Sequence, residues 1–118
     1  METNQVLDVF TSLEIPVEEI RLTGGYTTID TWNQIQADIY GKPVSTLENP
    51  EASIMGAALL AAVGTGAFSS LPEAVKSMVR LKKRYQPARE NAAAYEKLYQ
   101  TYCTVHEEIG SRLFELMN

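Results

Sequence analysis

The chain has few of the residues from which metal sites and disulfides are built. Among its 118 residues there is one cysteine, Cys103, and one histidine, His106. A single cysteine excludes an intrachain disulfide and indicates a reducing compartment. Neither residue has a partner at metal-ligand spacing, so we expect both to be structural and expect no metal site. This pattern is typical of a cytoplasmic protein.

The chain also lacks a long apolar run, a signal-peptide pattern and an excess of positive charge. Its longest apolar stretch, residues 54–63, is about half the roughly 20 residues that a membrane-spanning helix needs. The formal net charge of −5 argues against a nucleic-acid-binding face. The sequence contains no Walker A motif, no G-x-G-x-x-G and no nucleophile elbow. We therefore expect no membrane or nucleic-acid partner, and no catalytic residue within this segment.

Two short extended segments and a helix between them form the centre of the predicted fold. The extended segments are residues 19–23 and 43–47, and Gly41 is suited to the left-handed residue that ends the helix. A strand, a helix and a strand within about 30 residues predict a parallel βαβ unit with a right-handed crossover.

The remaining segments predict helices. Thr3 or Asn4 is expected to cap the first helix. Residues 51–63 are apolar all round and predict a helix that is buried on most sides. Ser70 is expected to cap a short helix that runs from residue 72 to about residue 81, with an extended segment at 84–87. The last helix is predicted at 88–116.

Charge and apolar patterns add two further expectations about these helices. The basic run Arg80, Lys82, Lys83 and Arg84 favours a solvated helix end over a phosphate site. Apolar residues along the last helix recur at steps of three and four, which predicts one continuous apolar stripe. Its members are Tyr95, Leu98, Tyr102, Val105, Ile109, Leu113 and Leu116.

Two strands rarely form an independent sheet, and an all-apolar helix needs extensive cover. The sequence therefore predicts that residues 1–118 are a single partial domain of a helix-rich α/β fold.

One ordered set of motifs spans the centre of the chain. Gly24-Gly25 closes the first strand, and the later members are Trp32, Gln34, Asp38, Pro43-Val44 and Gly56-Ala57-Ala58. They lie within IRLTGGYTTIDTWNQIQADIYGKPV and EASIMGAALLAAVGTGAFSSLPEAV. In this order and spacing, residues 14–102 closely resemble the carboxy-terminal part of the FGGY carbohydrate kinases, in particular the xylulokinases.

The resemblance implies a partial ribonuclease H-like (actin-like ATPase) domain with a two-stranded parallel βαβ core, whose strands would be the last two of five. The outer edge of the strand at 19–23 would then lack its neighbour, which predicts self-association of the isolated chain. It also implies an ATP-dependent and Mg²⁺-dependent kinase that transfers the γ-phosphoryl group to a sugar hydroxyl, with a xylulose-like pentulose as the favoured substrate. The family's sugar site, general-base aspartate and first phosphate-binding loop belong to sequence outside these 118 residues. The implied partner is therefore an amino-terminal kinase domain, and the segment alone is expected to be inactive.

The resemblance places nucleotide contacts at Gly24, Gly25, Tyr26 and Ile29. Paired glycines between a strand and a helix let the backbone approach phosphate oxygens, and the helix N-terminus directs N–H groups to the same place. Many relatives have small or polar residues after the glycines, including a Ser or Asn at the position of Ile29. Tyr26 is therefore expected either to stack on the adenine or to obstruct it.

Three neighbouring residues have structural interpretations that compete with functional ones. Thr23 is expected to finish its strand, Trp32 to lie in the core or between domains, and Asp38 to be solvated or salt-bridged. A second function also stays open, in which the chain is a stand-alone helical interaction module that does not bind ATP. Its predicted binding surface is the apolar stripe of the last helix.

Overall fold

The computed structural model describes residues 1–117, which form five helices, a single 3₁₀ turn and three strands. In chain order these are α1 (Glu2–Ser12), β1 (Ile20–Leu22), the 3₁₀ turn (Gly25–Thr28), α2 (Asp30–Tyr40), β2 (Val44–Leu47), α3 (Ala52–Gly64), α4 (Leu71–Met78), β3 (Leu81–Tyr85) and α5 (Arg89–Met117). Within this range no helix combines the length and the apolar character needed to cross a bilayer.

The strands form a small mixed sheet in the order β1-β2-β3. β1 pairs in parallel with β2, with Ile20 opposite Val44 and Leu22 opposite Thr46. The predicted parallel βαβ unit is therefore confirmed. β3 pairs antiparallel with the other side of β2, which places Tyr85 opposite Val44.

β3 corrects two expectations about the basic segment. The helix that was predicted to reach residue 81 ends at Met78, and Val79 is already extended. The basic run, expected to be a solvated helix end, instead contributes Lys82, Lys83 and Arg84 to β3. An edge strand tolerates such residues because one edge of its backbone and many of its side chains remain in water.

The core lies where α2 crosses the sheet. Ala37 and Val44 are completely buried, and Tyr85 closes the cluster from β3. Gly41 ends α2 in the left-handed conformation (φ 60°, ψ 20°), as predicted. This early end lets the chain turn back into β2 and fixes the N-terminus of α2 near the end of β1.

The apolar helix α3 is not buried on most sides, contrary to the prediction. Leu59 is its buried residue, whereas Ile54 and Leu60 are each 66% exposed. Within the described chain α3 packs mainly on α4. All-round apolarity indicates how many sides of a helix need cover, but it does not identify the element that provides the cover.

The helix caps were predicted with mixed success. Ser70 caps α4, because its Oγ accepts a hydrogen bond from the amide of Glu73 at 3.4 Å. Neither Thr3 nor Asn4 caps α1, which begins at Glu2. Asn4 is instead buried, and its Nδ2 donates to the carbonyl oxygen of Ile39 at 2.9 Å. This bond joins α1 to the end of α2.

Asp38 is a buried hydrogen-bond acceptor, so the expectation of a solvated or salt-bridged carboxylate is wrong. It is 6% exposed. Its carboxylate accepts hydrogen bonds from the Ala88 amide at 2.8 Å, Asn91 Nδ2 at 2.7 Å and Gln34 Nε2 at 2.8 Å. Ala88 immediately precedes α5 and Asn91 lies in its first turn, so the carboxylate joins the start of α5 to α2.

The environment of Asp38 makes its ionised form part of the folded state. Burial by itself raises the pKa of Asp38, but the hydrogen bonds from Ala88, Asn91 and Gln34 outweigh this, and the pKa lies below the ordinary value of 3.8. The stability that this group contributes is therefore present above about pH 3.8. It is lost as the pH falls from there through the lower pKa of the folded state.

We expect Asp38→Asn to lower the free energy of unfolding by about 2 kcal/mol or more at pH 7, because the NH₂ group that replaces one carboxylate oxygen meets a hydrogen-bond donor and leaves that buried donor without an acceptor. The measurement is urea unfolding monitored by circular dichroism at pH 7 and at pH 3. The difference between the variant and the parent should shrink at pH 3. Glu107→Gln, an exposed substitution on α5, is the control. Equal stability of Asp38→Asn and the parent at pH 7 contradicts the prediction.

Candidate functional site

The paired glycines form a sharp bend at the carboxyl end of β1. β1 ends at Leu22, and Gly24 has φ 96° and ψ 169°, a conformation open in practice only to glycine. The 3₁₀ turn Gly25–Thr28 follows directly, and α2 begins at Asp30. The bend therefore connects a parallel strand to the N-terminus of the crossover helix.

Hydrogen bonds hold this bend from both sides. The amide of Gly24 donates to the carbonyl oxygen of Pro50 at 2.8 Å, which connects the bend to the start of α3. The amide and the Oγ1 of Thr27 both donate to the carbonyl oxygen of Gly24, at 3.1 and 2.7 Å. Thr28 Oγ1 donates to the carbonyl oxygen of Gly25 at 2.9 Å. The conformation is thus fixed by the protein itself.

The same bonds leave amide hydrogens available at the start of the turn. The first N–H groups of a helical turn have no acceptor inside it. Among the backbone bonds of residues 1–117 that lie outside regular elements, none uses the amide of Gly25 or of Tyr26 as donor. A methyl group built at Gly24 or Gly25 would meet no other atom within 4 Å. The space beside the two glycines is therefore open, and the amides of the exposed residues Gly25 and Tyr26 are not used in these backbone bonds.

An apolar groove lies beside the bend. It has a volume of about 620 Å³ and is lined by Tyr26, Ile29, Thr31, Trp32 and Ile35. Tyr26 is 73% exposed, and its ring lies 6.2 Å from that of Trp32 at an angle of 43°. Trp32 is 45% exposed, so it does not lie in the core of this chain. Of the four expected nucleotide-contact residues, Tyr26 and Ile29 thus line the groove. Gly24 and Gly25 form the bend beside it.

A polar cluster that the sequence did not predict lies behind the bend. Asn33 is fully buried, and its Nδ2 donates to the carbonyl oxygen of Thr27 at 2.9 Å and to the hydroxyl of Tyr85 at 3.2 Å. The Tyr85 hydroxyl in turn donates to Asp30 Oδ1. Asn33 lies four residues before the buried Ala37, so a polar residue on the core face of α2 was the available signal.

Asp30 brings a negative charge to the first turn of α2, where it would repel an anion at the bend. Lys83 Nζ donates to Asp30 Oδ2 at 2.8 Å and offsets this charge. The hydrogen bond from Lys83, followed by that from Tyr85, lowers the pKa of Asp30, and the carboxylate raises the pKa of Lys83. Both side chains are exposed, so the pair affects local charge more than stability.

Comparisons of sequence relate this chain to carbohydrate kinases. The profile of the "FGGY family of carbohydrate kinases, C-terminal domain" matches residues 1–65, which include both glycines and α2. The chain is 34% identical over 103 residues to a xylulose kinase of Bacillus subtilis, covering 87% of this chain and 21% of that protein. It is 33% identical over 109 residues to a ribulokinase of Mycolicibacterium smegmatis, covering 92% and 19%.

Solved structures give the same result for the fold. A xylulose kinase from Rhodospirillum rubrum superposes with a TM-score of 0.73 at 25% identity, over 93% of this chain and 22% of that one. A ligand-bound xylulose kinase from Lactobacillus acidophilus gives a TM-score of 0.70 at 28% identity, over 79% and 19%. The chain thus spans about a fifth of the length of these relatives. With the mixed sheet and crossover helix of a ribonuclease H-like fold, it belongs to the FGGY family of carbohydrate kinases and corresponds to part of their carboxy-terminal domain.

Proposed function

We propose that this chain forms the nucleotide-binding part of an ATP-dependent sugar kinase, which transfers the γ-phosphoryl group to a sugar hydroxyl. One observation carries the proposal. The bend at Gly24 and Gly25 lies between a parallel strand and the helix that follows it, with open space beside both glycines and with the amides of Gly25 and Tyr26 unused by the backbone bonds outside regular elements. This is the arrangement in which a backbone can approach phosphate oxygens.

The residues at the bend fit a polyphosphate. The amides of Gly25 and Tyr26 are donors, and the positive end of the α2 dipole points to the same region. The Asp30 carboxylate, which would oppose an anion, is already paired with Lys83. Catalysis of phosphoryl transfer depends mainly on positioning and charge stabilisation, and Mg²⁺ bound with the nucleotide would supply part of that charge stabilisation. The chain's own contribution is to hold and orient the triphosphate.

The apolar groove suits the adenosine. Tyr26 projects beside Trp32 instead of covering the bend, which favours stacking on the base over obstruction of it. Ile29 offers an apolar contact at the position where many family members carry a polar one. We therefore infer that the base is held mainly by contact with the groove and that the phosphates are held by the backbone.

The sugar site and the general base are proposed to come from an amino-terminal kinase region. This agrees with the chain spanning about a fifth of its relatives, and the segment alone should not transfer phosphate. A xylulose-like pentulose is the favoured substrate, because xylulose kinases and ribulokinases stand among the relatives that match, although a gluconokinase does as well.

We expect Mg-ATP to shift the backbone amide resonances of residues 24–29 in a titration followed by ¹H–¹⁵N NMR. Gly25→Val should weaken this binding by about tenfold or more, equivalent to about 1.4 kcal/mol, because its side chain occupies the space that the phosphates need. Gly110→Val, at an exposed glycine of α5 that also has open space, is the matched control and should leave the affinity unchanged. Shifts confined to other regions, or no shifts at millimolar Mg-ATP, contradict the proposal.

Substitutions at the two adjacent glycines should differ in their effect on the free energy of unfolding. Gly24→Ala is expected to lower the free energy of unfolding by about 1–3 kcal/mol, because alanine is strained at φ 96° and ψ 169°. Gly25→Ala should change it by less than about 0.5 kcal/mol, since Gly25 has neither a positive φ nor a close neighbour. Thermal or urea unfolding of the two variants provides the measurement. Equal losses at both positions would contradict the backbone argument.

A second function, that of an interaction module indifferent to nucleotide, is supported by the apolar stripe of α5. Leu98, Val105, Ile109 and Leu113 are each about half exposed in this chain. The NMR titration separates the two proposals, because an interaction module gives no Mg-ATP response at the bend. The stripe is also compatible with the kinase proposal, in which the amino-terminal region covers it.

We expect the isolated chain to self-associate. Within residues 1–117, β1 pairs with β2 alone and its other edge has no strand partner, while α3 exposes Ile54 and Leu60. Unpaired edges and contiguous apolar surface favour association. Light scattering coupled to size exclusion should show a mass that rises with protein concentration, and Leu60→Lys should reduce this rise. A monomer at every concentration contradicts the expectation.

A further inference from the structure

A buried chain of hydrogen bonds joins the edge strand β3 to the glycine bend. The amide group of Asn33 has two hydrogens, and both are used: one bonds to the Thr27 carbonyl oxygen and the other to the Tyr85 hydroxyl. Thr27 in turn bonds to the carbonyl oxygen of Gly24 through its amide and its Oγ1. Asn33 is therefore connected to Gly24 through a single intervening residue, Thr27.

A buried asparagine is an energetically costly way to fill the core at position 33. Asn33 is completely buried, and within the described part of the protein its Oδ1 has no hydrogen-bond partner. A buried polar atom without a partner is unfavourable, and an apolar side chain of similar size would avoid that cost. The amide at this position is thus explained better by the two groups that it connects than by packing.

Tyr85 extends the connection to the charge at the start of α2. Its hydroxyl accepts from Asn33 and donates to Asp30 Oδ1, while Lys83, two residues earlier on β3, donates to Asp30 Oδ2. Both carboxylate oxygens of Asp30 are therefore occupied by groups of β3. This orients the carboxylate toward the edge strand.

We propose that Asn33 and Tyr85 are positioning residues that hold the glycine bend in its phosphate-binding conformation, so that β3 sets the geometry of the nucleotide site. The proposal rests on the function proposed for the bend. It concerns a part of the chain beyond the segment that the family profile matches, since that match ends at residue 65 and Tyr85 lies after it. The bend and one end of its support thus come from different parts of the sequence.

The first test removes the hydroxyl of Tyr85 and keeps its ring. In Tyr85→Phe we expect the amides of residues 24–27 to shift in the NMR spectrum and the Thr27 amide to exchange with solvent about fivefold faster or more, without nucleotide. The melting temperature should fall by only a few degrees, because the aromatic ring stays in the core and the loss is limited to the hydrogen bonds of the hydroxyl. Tyr40→Phe is the matched control: Tyr40 also packs against the core, and its hydroxyl bonds to Gln36.

A second variant addresses the other half of the connection. Asn33→Leu replaces the amide with an apolar group of similar volume, so the core can remain filled while both hydrogen bonds are lost. It should accelerate exchange at the bend as Tyr85→Phe does. Unchanged exchange at residues 24–27 in the two variants overturns the proposal. Faster exchange spread evenly over all elements, together with a lower melting temperature, also overturns it, because that is the result of a purely structural role.

An Mg-ATP titration of the same samples distinguishes this proposal from the function on which it rests. We expect the affinity of both variants for Mg-ATP to be about fivefold lower than that of the parent. The same residues should shift as in the parent. If the parent does not respond to Mg-ATP while Tyr85→Phe still loosens the bend, the proposed function fails and the support by β3 stands. If the parent binds Mg-ATP and the variants bind it equally well, the positioning role is overturned and the proposed function stands.

Discussion

The parallel pairing of β1 with β2 is the constraint on which the rest of the structure depends. Two neighbouring parallel strands must be joined by a crossover, so α2 has to return along the sheet and start near the end of β1. The glycine bend and the first turn of α2 therefore lie next to each other at the same end of the sheet. The early stop at Gly41 and the buried Ala37 against Val44 keep that crossover short and close to the sheet.

Around this unit, buried polar groups fix the orientation of the elements. Asp38 holds the start of α5 against α2, and Asn33 holds the bend against β3. The apolar core within this chain is small, so directional bonds contribute a large part of the specificity with which the elements meet. A further directional contact lies at the start of α2, where the carboxylate of Asp30 pairs with Lys83 of β3.

The features that could be predicted from the sequence were those determined by nearby residues. The parallel βαβ unit, the left-handed Gly41 and the Ser70 cap each depend on local spacing or backbone preference. The features that could not be predicted depend on distant partners. The third strand was missed because its residues are mostly charged and pair with a strand about 40 residues away. The burial of Asp38 follows from donors some 50 residues later in the chain, and no local pattern indicates them.

The hydrogen bond between Gly24 and Pro50 has a mechanical consequence. Pro50 lies immediately before α3, the helix whose apolar sides are largely exposed in this chain. The acceptor that restrains the first glycine thus belongs to the connection that leads into α3. The exposed apolar surface of α3 begins within a few residues of that acceptor, which ties the position of the bend to the position of α3.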